Sequence, residues 1–435
     1  MPQRGRNEST LTTNTQFYGW KLLSVLWLIM FINLGFPAYG QSVVNTVMAL
    51  EFKLDRASLG LLFSAYIGMT GVAGPLAGFL INRLGVRRTL LIGSALIASA
   101  AVLMATVVAS GLQAGLVLGL MLGSGVSIGA ALAAQAGIAR WFVRRRALAL
   151  AILYSASAIG GFAASPFLNH VIRAAQGNWR MAWWVIAALS VFAGVLAALF
   201  VREQPSDLGQ VPDGAAADAS GRSRPIASFI TTEPWTSREA LLTPAYWLMV
   251  LSLVGGSCGY TLYLAHGIVH LQDLGHTREQ AAWAVGIVAA TGLSAKVVVA
   301  VLGDRIDPRY LWAIFTAFFA LGLYLVIDAR DMTRVFAFAM CIGIGFGGGL
   351  VCLMTVLSNY YGNKAFAMLA GVAVTANTLP SVAAPYIAGR LYDSGYGYGS
   401  SFITYSLWCV VGTIVLFVVQ PPTRGVRRVA AAETP

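Results

Sequence analysis

GFLINRLGVRR, residues Gly78 to Arg88, is echoed by VLGDRIDPR, residues Val301 to Arg309. Each is the end of an apolar run, a Gly, an Asn or Asp followed by Arg, and then more basic residues. The copies fall at corresponding places in the first and second parts of the chain. A parallel internal repeat of this kind predicts two halves that rock about a site near the bilayer midplane, as in secondary transporters.

Composition sets the class. Of 435 residues, 57% are hydrophobic and 11% charged, against about 25% charged in soluble domains. Apolar runs of about 20 residues recur along the whole length, each long enough to cross a bilayer as a helix. The backbone finds no partner in lipid, so every crossing segment has to be helical. The reading is an all-α membrane protein with twelve transmembrane helices in two six-helix halves. The segments are 20–43, 58–81, 89–108, 112–138, 147–170, 180–201, 242–268, 279–302, 310–328, 334–358, 365–388 and 400–420.

Residues 1–201 form the N-terminal half and 241–435 the C-terminal half with a short tail. Residues 202–240 contain QPSDLGQVPDGAAADASGRSRP, whose Pro, Gly, Ser and Asp content reads as a flexible cytoplasmic linker. The first apolar run is too long for a signal-peptide core and ends without a small-residue cleavage site, so no cleavable leader is expected.

Lys and Arg orient the bundle. With both termini inside, twenty of the 29 lie in cytoplasmic segments and eight in outer ones; the remaining one is Lys296. That bias places both termini in the cytoplasm. It also accounts for the net charge of +12 without nucleic acid, because no basic cluster sits in a soluble domain. The four cysteines all lie in apolar runs and read as small apolar fillers. No His/Cys spacing indicates a metal, and nothing calls for a cofactor. The glycine runs at 123–130, 157–161 and 343–350 read as close helix contacts rather than phosphate loops.

Lys296 stands out. It lies in TGLSAKVVVAVLGDR, seven residues before Gly303, roughly 10 Å from the helix end at 1.5 Å per residue. A charge near the bilayer middle costs at least about 2.5–3.5 kcal/mol. No acidic residue occurs in the predicted helix interiors to pair with it. Its stem is too short to reach the cytoplasmic surface, so a cavity, and an anion within it, is the expected surrounding.

Gly78 to Arg88, with Asn82, Arg83, Arg87 and Arg88, resembles the signature loop of the major facilitator superfamily. Gly303, Asp304 and Arg305 repeat it. The family's usual acid is replaced by Asn82 in the first copy and kept as Asp304 in the second. FYGWKLLSVLW (Phe17 to Trp27), RWFVRRRALALAI (Arg140 to Ile152), HLQDLGHTREQAA (His270 to Ala282), NYYGNKAFAMLAG (Asn359 to Gly371) and AGRLYDSGYGYGSSF (Ala388 to Phe402) narrow the resemblance. They are similar to the branch of monocarboxylate transporters and oxalate/formate antiporters.

That resemblance implies a substrate-binding Arg eight residues before the second loop's acid, and Lys296 occupies the place. Lys offers a point charge without the bidentate fork of Arg. Gly292 stands where monocarboxylate members often carry an Asp, which removes the obvious proton partner. Asn377 takes the place of the second cation of oxalate carriers, so a monoanion is favoured.

Other polar residues in apolar helices are Tyr39, Gln41, Gln135, Tyr154, Ser155, Asn359 and Asn377. Gln135 and Asn377 either face a cavity or pack between helices. Tyr39 follows a Pro where the first helix can kink. His266 and His270 are four apart on one face, preceded by Tyr260 and Tyr263. His270 reads as an interface residue. His266 either donates to substrate, or carries a proton near neutral pH, or makes a structural hydrogen bond.

The expectation is therefore a secondary transporter of a small organic monocarboxylate, working by alternating access, with protons as a possible second partner. The carrier is expected as a monomer in a plasma membrane, in keeping with a bacterial inner membrane. The site set is Lys296, His266, Tyr263, Asn377, Gln135, Tyr39 and Tyr154. Alternatives are exchange of dicarboxylates such as oxalate for formate, drug efflux, and a non-transporting solute sensor. A lone cation argues against cationic drugs, and the short tails argue against a sensor. No nucleophile–base pair supports an enzyme. The acid itself, the coupling mode and the direction of transport stay open at this point.

Overall fold

The computed structural model describes residues 17–54, 56–213, 229–231, 233 and 235–422. The tails and the middle of the polar stretch, 214–228, lie outside the described residues, and with them much of the predicted linker. The helical runs are α1 (Gly19–Glu51), α2 (Arg56–Val72), α3 (Gly74–Thr106), α4 (Gly111–Trp141), α5 (Arg146–Ala174), α6 (Arg180–Phe200), α7 (Pro244–Asp273), α8 (Arg278–Leu302), α9 (Pro308–Leu325), α10 (Met332–Leu391) and α11 (Gly397–Val418). Local chemistry starts several of them. Thr277 accepts the Gln280 N–H while Gln280 Oε1 accepts the Thr277 N–H, closing a capping box at α8. Asp331 caps α10, and Pro244 and Pro308 open α7 and α9.

Among the described residues, nine continuous runs are long and apolar enough to cross a membrane. One of them, Met332–Val418, has 87 residues. Unbroken it would measure about 130 Å, far beyond a hydrocarbon core of about 30 Å. Gly362 breaks it with φ +70°, as Gly85 breaks α3 with φ +87°, a backbone conformation that glycine adopts without strain. These breaks separate the arms 74–84 and 86–106 of α3, and 332–361 and 363–391 of α10. Allowing for frayed ends, the predicted segments fall in helix, except that 58–81 runs across the α2–α3 junction at Ala73 and 112–138 across a turn at Ala130.

The halves meet along one end of the bundle, where both signature loops lie; we call it the loop end. Gly71, Gly74 and Gly78 run down the 71–78 region against Thr378, Gly371 and Ala367 of the arm 363–391. A Cβ at Gly78 would lie 2.7 Å from the Ala367 carbonyl, so only glycine permits this approach. Thr375 Oγ1 donates to the Gly71 carbonyl. On the other flank a Cβ at Gly303 would lie 2.7 Å from Ala147 Cβ. Asp304 accepts the N–H groups of Ala147 and Leu148 at 2.7 and 3.1 Å, capping α5 from the opposite half. Beside it Arg146 donates to Asn359 Oδ1 and Asn363 Oδ1. Burial pushes the Asp304 carboxyl up to about 6, against the lowering effect of its two N–H partners.

The ends of the polar stretch depart from the flexible-linker expectation. Glu203 accepts the N–H groups of Val86 and Arg87, both at 2.8 Å, and pairs with Arg140 at 2.7 Å. Asp213 accepts from Val143, Arg144 and Arg145. Trp235 is buried against Tyr361. Backbone N–H groups at helix starts need acceptors, and the acids of this stretch supply them.

Candidate functional site

Between the halves lies a cavity of about 490 Å3. Its C-terminal wall is built on α8 and the arm 332–361. Gly292 packs on Gly343 and Gly347, and this close approach brings Lys296, one turn further along α8, to the seam between the halves. The Lys296 ammonium lines the cavity and is half-buried. Its printed contact is a long donation to the Gly292 carbonyl at 3.4 Å. Among the described residues no carboxylate lies within 4.0 Å of it, and it is the one charged side chain of the lining.

The N-terminal wall is uncharged. Ser127, Ala131 and Gln135 line it at four-residue steps along α4, the spacing of one helix face. Gln135 Nε2 donates to the Tyr154 hydroxyl at 2.7 Å, while Gln135 Oε1 and Ser127 Oγ are buried without a partner. Tyr39 lies within the wide helical turns Phe31–Gly40, two residues after Pro37. It stands about 30 Å along α1 from its start, on the far side of the cavity from the loop end, and is 44% exposed.

The structure thus brings Lys296, Gln135, Tyr154 and Tyr39 to one cavity and leaves His266, Tyr263 and Asn377 outside its lining. His266 Nε2 bonds the Pro385 carbonyl at 3.0 Å, and its ring stacks on Tyr398. This contact is the structural hydrogen bond among the three readings open for His266. Tyr263 is buried against Phe338 in the core of its own half. Tyr260, three residues earlier and so on a neighbouring face of α7, lines the cavity instead. Asn377 keeps a buried, unpartnered Oδ1, and its helix shows Val374 to the cavity. Thr70, Ser127 and Phe346 also line the cavity and did not stand out in the sequence; for Ser127 the signal is its place two four-residue steps before Gln135.

Both signature loops sit at the loop end. Gly78 and Gly303 make the cross-half contacts described above, and Asp304 is the cross-half cap. Arg87 donates to the Ala198 carbonyl. Arg83 lies over the Phe79 ring, and Asn82, Arg88 and Arg305 are exposed.

The family model of the Major Facilitator Superfamily matches residues 26–277 and again 262–434, so between them the two matches cover both walls of the cavity. The chain belongs to that superfamily. It is similar to "Monocarboxylate transporter 13" of Bos taurus, 25% identical, over 87% of this chain and 84% of the relative. It is similar also to "Monocarboxylate transporter 14" of Mus musculus, 23% identical, over 96% and 94%. Among solved structures it resembles the proton:xylose symporter XylE, with TM-score 0.70, 17% identity and coverage of 92% and 95%. That last likeness is one of fold. The protein is a multi-pass membrane protein and a secondary transporter, not an enzyme.

Proposed function

We propose that this transporter carries a small organic monocarboxylate across a plasma membrane by alternating access. In this reading it has twelve spans, its termini and the loop end face the cytoplasm, and the monomer is the functional unit. The observation that carries the reading is the Lys296 ammonium, held in the cavity with no acidic partner among the described residues. A buried charge without a partner is costly, and a substrate carboxylate offsets that cost. The loaded carrier therefore closes more readily than the empty one. The names of the relatives support the same substrate class. A single cation supports a monoanion over a dicarboxylate.

Proton coupling, in this reading, runs through Lys296. His266 is engaged by Pro385, and Gly292 brings no carboxylate. The empty carrier gives up the Lys296 proton, and the neutral amine takes one up again as the carboxylate arrives, so proton and substrate load together. The test is uptake of labelled monocarboxylates into proteoliposomes, with and without an inward proton gradient and with and without internal anion. The expected result is acceleration by the gradient with no internal anion. Obligatory internal anion, with no response to the gradient, identifies an exchanger and ends the coupling claim.

A further inference from the structure

The cavity's polar groups speak for the carboxylate; its rings speak for the rest of the substrate. On the same half as Lys296, Tyr260 and Phe346 stack face to face, with centroids 3.6 Å apart and planes 7° from parallel. Both line the cavity and both are half-buried. Behind Phe346 lies Phe319, fully in the core, with centroids 6.2 Å apart. The three rings form a series running from the core of the C-terminal half to the cavity wall. Tyr260 is its last member: its ring contact among the described residues is with Phe346. The N-terminal half adds Met30, Leu34 and Leu132 to the same lining, beside polar groups that include Tyr39 and Gln135; Met30 is adaptable in shape. The volume of about 490 Å3 falls in the range of about 300–1,000 Å3 typical of pockets that enclose ligands of many atoms, more than a two- or three-carbon acid fills.

We infer that the preferred substrate is an aryl monocarboxylate: its carboxylate meets Lys296 and its ring packs against Tyr260 and Phe346. This rests on the carboxylate reading above and adds the chemistry of the substrate's body. Aromatic pairs gain about 0.5–1.5 kcal/mol beyond their buried area. An aryl acid is therefore expected to bind about three- to tenfold more tightly than a saturated acid of the same shape. Short aliphatic acids, which reach Lys296 without filling the cavity, bind more weakly than either.

The experiment is calorimetric titration of the purified full chain with 3-phenylpropanoate, 3-cyclohexylpropanoate and propanoate. The first two share carboxylate, chain length and ring size, so their ratio isolates the aromatic contribution. Wild type is expected to prefer the phenyl acid about three- to tenfold. Tyr260→Leu and Phe346→Leu, which keep apolar bulk, are each expected to bring the ratio near one. The inference is overturned if the cyclohexyl acid binds as well as the phenyl acid, or if both variants keep the wild-type ratio. Failure of the underlying reading looks different: none of the three acids binds, or Lys296→Ala leaves all three affinities unchanged.

Discussion

The two signature loops occupy matching places and are held by different acids. Asn82 of the first corresponds to Asp304 of the second, and Gly85 to Asp307. In the second loop Asp304 reaches across to α5 of the other half. Asp307 caps its own helix at Arg309 and accepts from Tyr360. The first loop carries neither acid. Glu203, from beyond α6, takes the helix-capping role, and a Cβ at Gly85 would lie 2.6 Å from its carboxylate. The first loop is thus braced within its own half, where nothing needs to release during transport. The second is latched across the seam, and on the alternating-access reading proposed above it releases with each opening of the loop end. The cavity repeats the asymmetry: its one cation, Lys296, lies on α8, eight residues before Asp304. One helix therefore carries both the cavity's cation and the cross-half cap.

The largest effect expected from breaking this asymmetry lies in the cavity. Lys296→Ala removes the charged side of a charge-assisted hydrogen bond, worth about 1.5–3 kcal/mol. Carboxylate affinity is expected to fall roughly ten- to hundredfold while the protein still folds. Lys296→Arg is expected to keep part of it, since charge remains but geometry changes. Calorimetry on the purified chain decides; unchanged affinity in the Ala variant would remove the basis of the functional reading.

Next comes the latch. With the loop end closed, the Asp304 carboxyl sits at about 6. With it open, water returns the group toward an ordinary value of about 3.9. The state with the higher value holds the proton more tightly, so acid favours the closed loop end. That advantage is complete below about pH 4 and is lost as pH rises through about 6. Spin labels at the exposed positions Arg88 and Ile306 are expected to report, between pH 7 and 5, a shift toward the closed distance of about tenfold. Asp304→Asn is expected to flatten that dependence. The groups that contribute beside it, Arg146 and Asp213, are unchanged in the variant. A pH response that survives intact in Asp304→Asn assigns it elsewhere.

A smaller effect is expected from the brace. Glu203→Gln weakens two N–H contacts at the start of the arm 86–106 and the pair with Arg140, which is partly exposed and so worth little by itself. Loss of a helix cap costs about 1 kcal/mol. The unfolding temperature is expected to fall by a few degrees, while the label distances and their pH response stay as in wild type. A changed distance distribution would show the brace to be part of the moving machinery.

How far the sequence told these roles apart depends on where the partners come from. The bundle, the repeat and the isolation of Lys296 were legible because apolar length and unpaired charge are local properties. The substitution of Asn82 for Asp304 was legible too. What it does was not, because Glu203 reaches Val86 from more than a hundred positions away, out of a stretch whose composition reads as flexible. The cavity residues divide in the same way. Gln135 and Tyr154 were flagged as polar groups in apolar helices. Tyr263 was chosen where Tyr260 faces the cavity, because a rotation of one face on α7 cannot be read without its neighbours. For His266 the sequence offers three roles, and the Pro385 carbonyl, on another helix, is what engages it.

The smallest effect sharpens the comparison most directly. Asn82→Asp restores to the first loop the acid that the second one has. Asn82 shares a groove at the loop end with Asn363 and Lys364, which follow Gly362 at the start of the arm 363–391. This is the counterpart of the α5 start that Asp304 caps. A carboxylate there faces a helix N-terminus and a lysine of the opposite half, both favourable for negative charge. The gain at an exposed position is about 0.3–1 kcal/mol, a two- to fivefold shift toward the closed loop end. It should shrink in high salt, because exposed charges are screened. The same pair of labels measures it, at neutral pH and two ionic strengths. A shift that is absent at low salt, or that runs toward opening, would mean that the two loops are not equivalent in position. The division between brace and latch would then follow from the backbone of the first loop and not from the missing carboxylate.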